Sequence, residues 1–354
     1  MFSDEFILER YVSEDVVFVT SAYRLGVFGQ LYFGPNGGIS ENLLVHDFRL
    51  IDPNAQLFQQ MITLSAHGAF VFYEGAISQS YELAEKLGCS QGNRSDTQIP
   101  KIVECLKKTN GSEILNIQTQ MVQVDFHAFL GILPGYPVMK PNQTISNFKK
   151  NAPKRNMICG STELEFAVDK FKYPVPGRFL DVDNFKEDLD WYYKNMEIHN
   201  WTDPNSSPIY ISSRTYCETM AKASANAFIF ETRQKPMSMH VTDMQYFIGI
   251  HREKVHTPDM DILDGFYSKM LVNFTKTGVP APGWEKLDPK RMNYLELKVD
   301  SKMSEGPRML ENYHEKEMDI WFGEVMEYDR NVTKQIILTY TENRLISEHL
   351  IEVS

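Results

Sequence analysis

Residues 154–166 read KRNMICGSTELEF. Met157, Ile158 and Cys159 form a continuous apolar run rather than an alternating one, the pattern of a strand buried on both faces of a parallel sheet. Small residues follow, then two glutamates, Glu163 and Glu165. Open α/β sheets carry functional side chains just past the carboxyl ends of their strands. Either glutamate is a candidate for that role, and a solvated loop carboxylate is the plain alternative.

Three further runs read the same way: DVVFVTSAYRLG at 15–26, QLFQQMITLSA at 56–66 and ANAFIFETRQ at 225–234. Between them, apolar residues recur at helical spacing in 81–89, 99–108, 182–196 and 261–278, and again in a late helix over 315–328. Lys276 and Gly278 supply a helix stop. Strands alternating with helices predict an α/β fold with a mostly parallel central sheet flanked by helices. No internal repeat, low-complexity tract or long linker divides the chain, so a single domain over 1–354 is expected. Pro134, Pro137, Pro141 and Pro153 mark one long irregular connection of the kind that forms active-site walls.

With 42% hydrophobic and 12% aromatic residues the chain has ample material for a core, and a net charge of -11 without a basic stripe argues against nucleic acid as a partner. No run of 18 apolar residues predicts a membrane span. Asp4, Glu5 and Glu9 stand where a signal peptide would be basic or apolar, so no export signal is read in this chain. Seven Asn-x-Ser/Thr sequons point the other way, toward glycosylation in the secretory route: Asn93, Asn110, Asn142, Asn200, Asn205, Asn273 and Asn331. Cys89 and Cys105 flank a polar loop entering an amphipathic helix. A bridge there would close a short ring worth about 3 kcal/mol, with two unpaired cysteines as the alternative. Cys159 and Cys217 read as buried thiols.

His240, in KPMSMHVTDMQYFIG at 235–249, follows the run at 225–234, with Asp243 beyond it. A histidine there suits a general base whose tautomer an acid holds; a locally satisfied histidine is the alternative. His251 and His256 lack helical metal-pair spacing and an obvious third ligand, so no metal and no cofactor is expected. An acid and then a histidine after successive strands is the second half of a Ser, acid, His order. The first half should be a G-x-S-x-G turn from strand into helix, and no such motif is read in the chain. GISEN at 38–42 lacks the second glycine, and Ser65 in TLSAHG lacks the first and reads as a core hydroxyl.

Taken together these motifs resemble the type-B carboxylesterase and cholinesterase family. DVVFVTSAYRLGVFG is similar to its strand and Y-R-L-G turn, ENLLVHDFRL to a helix start, and QLFQQMITLSA to its L-F-x-x-A-I-x-x-S strand. LGC…ECL resembles its small disulfide loop, which implies a Cys89–Cys105 bridge. CGSTELEF resembles the triad-acid segment and implies that role for Glu165. HVTDMQYFIG resembles H-x-x-[DE]-x-x-[FY]-x-x-G and implies the triad histidine at His240. MLVNFTKTGVPAPGWEKLD, at 270–288, resembles the N-F-x-[KR]-x-G-x-P…W stretch. The resemblance runs from about residue 5 to about residue 330, leaving 331–354 as a C-terminal tail.

The resemblance implies an α/β-hydrolase-like fold and hydrolysis of a small-molecule carboxylic ester by a Ser-His-Glu triad, in a secreted protein. It also exposes a gap. In HDFRLIDPNAQLFQQ, at 46–60, two segments that the family keeps several dozen residues apart are joined almost directly, and the family's elbow strand and serine fall in the interval. The chain also starts after the stretch resembling the H-G-G-G oxyanion turn. The expectation is therefore an incomplete esterase with acid and base but no nucleophile, and a sheet whose strands flanking the elbow either pair directly or lack a partner. A non-catalytic binding or adhesion ectodomain with a protein partner is the other reading. Arg24 and Asp47 are expected to pair. The aromatic stretches FKYPVPGRF at 171–179 and DWYY at 190–193 are candidate pocket walls or core.

Overall fold

The two most continuous apolar runs form the centre of the sheet. In the computed structural model β2 is Asn156–Thr162 and β3 is Ala227–Thr232, with β1 at Gln60–Leu64, β4 at Tyr294–Leu297 and β5 at Arg308–Leu310. The structure describes residues 4–20, 22–49, 58–66, 73–92, 94–124, 128–133, 135, 149–166, 182, 184–198, 207–236 and 238–352. The sheet order is β1-β2-β3-β4-β5. The first three pairings are parallel, and β5 closes the sheet antiparallel to β4. Register is set by Ile158, opposite Ile62 on one side and Phe228 on the other.

Both faces of β2 and β3 are covered, which is why their sequences do not alternate. Met157, Cys159, Ala227 and Ile229 pack with Tyr210, Cys217, Tyr313 and Trp321. Ile158, Phe228 and Phe230 pack on the opposite face with Leu263, Tyr267, Met270 and Phe274 of the helix Pro258–Thr277. At Gly160 the sheet and that core meet so closely that an added Cβ would lie 2.1 Å from Phe230 Cζ. Thr257 caps the helix Pro258–Thr277 at its start, accepting from the Met260 N–H at 3.2 Å, and Gly278 ends it at φ 76°.

The helices expected over 81–89, 99–108 and 182–196 are present as Tyr73–Lys86, Ile99–Lys108 and Phe185–Ile198. The late helix is three joined pieces, Glu315–Asp319, a π-helical turn Ile320–Val325, and Met326–Glu352. No helix among the described residues is long and apolar enough to cross a membrane.

Two expectations are corrected. Residues 15–26 form no strand among the described residues. Val16 and Phe18 pack against the core around Phe230, while Val17 and Val19 stand 86% and 78% exposed. Their apolarity serves one half-buried extended segment instead of a two-faced strand, and among the described residues β1 pairs only with β2. The strands expected to flank an elbow therefore do not close up on each other. Cys159 and Cys217, read as thiols, form a disulfide: Cys159 faces the helix Ser207–Lys222 from β2, with Cα atoms 6.2 Å apart. Cys89 and Cys105 are bridged as the family resemblance implied.

Candidate active site

Three strand ends bring the site together. Ser65 follows β1, Glu165 lies just beyond β2, and His240 lies in the loop after β3. All three neighbourhoods carry positive-φ backbone at non-glycine residues: Ser65 at 47°, Glu165 at 25° and Val241 at 64°. Strain of this kind collects where a surrounding structure forces side chains into a required place.

Glu165 is 1% exposed. Its Oε1 accepts from Ser65 Oγ at 2.6 Å and from the Thr162 N–H at 2.7 Å. Its Oε2 lies 2.6 Å from His240 Nδ1, and the His240 backbone N–H donates to the Glu165 carbonyl at 3.1 Å. A carboxylate on Nδ1 fixes the proton there and leaves Nε2 as the basic nitrogen. The imidazole is partly open, its side chain 35% exposed, with the Phe166 ring centred 4.4 Å away. Acid and base are thus in the geometry of a general-base pair.

Ser65 sits on the far side of that pair. Its hydroxyl donates to the carboxylate, so it is an additional donor to a buried anion, not a hydroxyl held against the basic nitrogen. Glu163 is tied by its backbone, donating to Thr232 O at 3.0 Å and accepting from Tyr210 Oη at 2.7 Å. Of the two candidate glutamates, Glu165 is the one that meets His240. Asp243 does not hold the imidazole either. It is buried and accepts from Tyr267 Oη at 3.2 Å, and burial, with the nearby Glu165 charge, pushes its carboxyl up to about 6.

The expected absence of G-x-S-x-G is corrected in its letters: the motif occurs once, as Gly88-Cys89-Ser90-Gln91-Gly92, and the sequence reading missed it. Its setting is the wrong one. The segment leaves the helix Tyr73–Lys86, Gly88 is at φ 72°, and the N–H groups of Cys89 and Ser90 both return to the Ala84 carbonyl. Cys89 is locked to Cys105. These glycines end a helix; they do not turn a strand into one.

His256 Nδ1 lies 3.0 Å from Asp261 and its Nε2 3.1 Å from Gln245, and no metal-competent group of three acidic, histidine or cysteine residues occurs among the described residues. Arg24 reaches the Leu43 carbonyl at 3.4 Å, while the Asp47 side chain lies outside the described residues. So do most of the long connection at 134–148, residues 50–57 at the join, residues 171–179, and the sequons at Asn93, Asn142, Asn200 and Asn205. Asn110, Asn273 and Asn331 are exposed.

Sequence reasoning missed a second glutamate–histidine pair. Glu231, wholly buried on β3, holds a short contact with His314 Nε2 and another with Arg233 Nε. His314 is stacked on Tyr210 with ring centres 3.4 Å apart. Burial would push Glu231 up, but the His314 and Arg233 cations outweigh it and hold the carboxyl below its ordinary range. Burial would likewise lower His314, yet the Glu231 and Glu317 carboxylates raise it to about 9. The one available signal was a glutamate inside the apolar run AFIFET.

A mostly parallel sheet with an acid after one strand and a histidine after the next defines an α/β-hydrolase-like protein. Residues 37–199 match the carboxylesterase family model. Solved structures agree on the fold. A PNB esterase superposes with a TM-score of 0.66 at 15% identity, covering 90% of this chain and 76% of that one. A thermophilic PNB esterase gives 0.63 at 16% identity over 87% and 74%. A Geobacillus stearothermophilus carboxylesterase gives 0.62 at 16% identity over 90% and 77%. None of the curated proteins compared with the chain matches it. The resemblance to type-B carboxylesterases is borne out.

Proposed function

We propose that this chain is a carboxylesterase-like α/β-hydrolase carrying the acid–base half of a Ser-His-Glu ester hydrolase, with Glu165 orienting His240, and that it turns over esters only at the low level a lone histidine base supports. The observation that carries this reading is the 2.6 Å contact between Glu165 Oε2 and His240 Nδ1. Its counterpart is that Ser65, the one serine among the described residues bonded to the pair, is bonded on the carboxylate side. General-base assistance alone contributes about 10²- to 10⁴-fold, far below an intact triad with its oxyanion donors. The substrate class is a small carboxylic ester. Two disulfides and exposed sequons at Asn110, Asn273 and Asn331 support a secreted glycoprotein folded as one domain.

The test is exposure of the full chain to a fluorophosphonate probe followed by peptide mapping. The expected result is no adduct at Ser65 or Ser90 and p-nitrophenyl acetate hydrolysis that falls to background in His240→Ala. A stoichiometric adduct at any serine would overturn the reading and name the nucleophile.

A further inference from the structure

The sheet ends differently at its two edges. β5, at one edge, has only three residues, and its first, Arg308, is tied to Glu296 of β4 at 2.7 Å. A short strand that carries a charge is a poor template for another strand. β1, at the other edge, has five residues, and neither a charged residue nor a proline occurs from Ala55 to Ala66. Every residue of β1 is partly exposed, whereas Met157–Thr162 of the adjoining β2 are all buried. Among the described residues nothing pairs with the outer side of β1.

One bond fixes which backbone groups face that side. The Ser65 N–H donates to the Gly160 carbonyl of β2 at 2.8 Å. Alternate residues of a strand turn their N–H and C=O groups to opposite sides. Met61, Thr63 and Ser65 therefore serve β2, and Gln60, Ile62 and Leu64 present theirs outward. The side chains of Ile62 and Leu64 pack on the apolar face shared with Phe228, Phe230 and Phe274.

A second β1 laid antiparallel about a two-fold axis at Ile62 sets Ile62 against Ile62 and Gln60 against Leu64. All the outward groups are then used, in about six main-chain hydrogen bonds, and the apolar face runs on from one copy into the other. The edge thus matches itself, as a two-fold contact between identical chains requires. It also favours a second copy on charge. The chain carries a net charge of -11, yet none of that charge falls on this stretch, so the contact brings no like charges together.

We propose that two copies of this chain join through the outer edges of β1, antiparallel about Ile62, into one continuous sheet. Pairing consumes the β1 edge and β5 is blocked, so association stops at the dimer. The contact does not depend on the ester-hydrolase reading.

Sedimentation velocity of the full chain over a range of concentrations, at low and at physiological salt, tests it. A monomer–dimer equilibrium without larger species is expected. It should be tighter at the higher salt, which screens the repulsion between two acidic chains. Ile62→Lys sets two cations against each other on the axis and Ile62→Glu two anions, and each should weaken dimerisation at least tenfold. An equimolar mixture of the two variants should restore it. Hydrogen exchange of the wild type, resolved by residue, locates the contact. The Ile62 and Leu64 amides should gain at least tenfold protection as concentration rises, while Thr63, already bonded to β2, is protected throughout. A chain that stays monomeric overturns the proposal, as do assemblies larger than two. So does a dimer in which the Ile62 and Leu64 amides exchange freely, or protection of both at every concentration, which would mean that the edge is covered within one chain. A mixture that stays monomeric overturns it when circular dichroism shows both variants folded, and the wild-type exchange decides the matter when either is not.

Discussion

Two glutamate–histidine pairs stand at neighbouring strand ends, and they differ in what surrounds the imidazole. In Glu165–His240 the carboxylate is buried but the ring is 35% exposed, with Nδ1 on the acid. In Glu231–His314 the ring is 14% exposed, with Glu231 on Nε2, Glu317 3.7 Å from Nδ1, and Tyr210 stacked across its face. With carboxylates at both nitrogens, His314 stays charged and can neither take nor give a proton near neutral pH. The difference shows that a short acid–histidine contact does not by itself make a catalytic base. One nitrogen must be left free, and the ring must be reachable.

Removing each histidine is the strongest way to break that comparison. His314→Ala leaves the wholly buried Glu231 facing Arg233 alone, and stripping one partner from a buried ion pair costs about 3–5 kcal/mol. His240→Ala removes a partly open ring from a carboxylate that keeps two other donors, and should cost under about 1 kcal/mol. Urea denaturation at pH 7 measures both, and equal losses would mean that the two pairs are structural alike. The pH dependence has a definite sign. His314 is raised above its ordinary 6.5, so its contribution is complete below 6.5 and is lost as pH rises through about 9. Wild-type stability should therefore decline across that interval, and His314→Gln should flatten the decline.

Asp243, a short distance from the open pair, offers the same sign in a more acidic window. Its carboxyl is raised from 3.8 to about 6 by burial and the Glu165 charge. A raised acid stabilises the fold fully below 3.8 and loses that contribution as pH climbs through 6, so at pH 7.5 the ionised group is a net cost. Two pKa units correspond to about 3 kcal/mol. Asp243→Asn, which keeps an acceptor for Tyr267, should be more stable than wild type by on the order of 2–3 kcal/mol at pH 7.5. Thermal unfolding across pH should show that advantage vanishing below pH 4. A variant less stable at every pH would show that the carboxylate is needed where it stands.

Much of this was legible in the sequence, for identifiable reasons. The runs at 156–162 and 227–232 are apolar on successive residues, and two-sided burial has few other causes. The acid and the histidine could be placed because each follows such a run and carries a family motif. Residues 15–26 misled because Val16–Phe18 look the same in a strand and in an extended segment packed on one side only; the neighbouring strand that decides between them is not written locally. The Cys159–Cys217 bridge was invisible because its halves lie on a strand and a helix that only tertiary packing brings together. The sealed pair was hidden for a similar reason, since His314 lies 83 residues beyond Glu231.

The smallest expected effect is also the one that separates a bystander from a participant. Ser65 was legible only as a core hydroxyl, yet its Oγ lies 2.6 Å from the carboxylate that orients His240. A hydrogen bond to a charged group is worth about 1.5–3 kcal/mol, but here the Thr162 N–H at 2.7 Å still serves the same oxygen after Ser65→Ala. The stability loss should therefore fall near 1 kcal/mol. The informative readout is turnover. With one donor fewer, Oε1 of Glu165 is held by the Thr162 N–H alone and the carboxylate orients His240 less firmly, so the His240-dependent hydrolysis of p-nitrophenyl acetate should fall in Ser65→Ala. Ser65→Thr, which restores a hydroxyl, should recover it. An unchanged rate would make Ser65 simple packing, and the open pair would then consist of Glu165 and His240 alone.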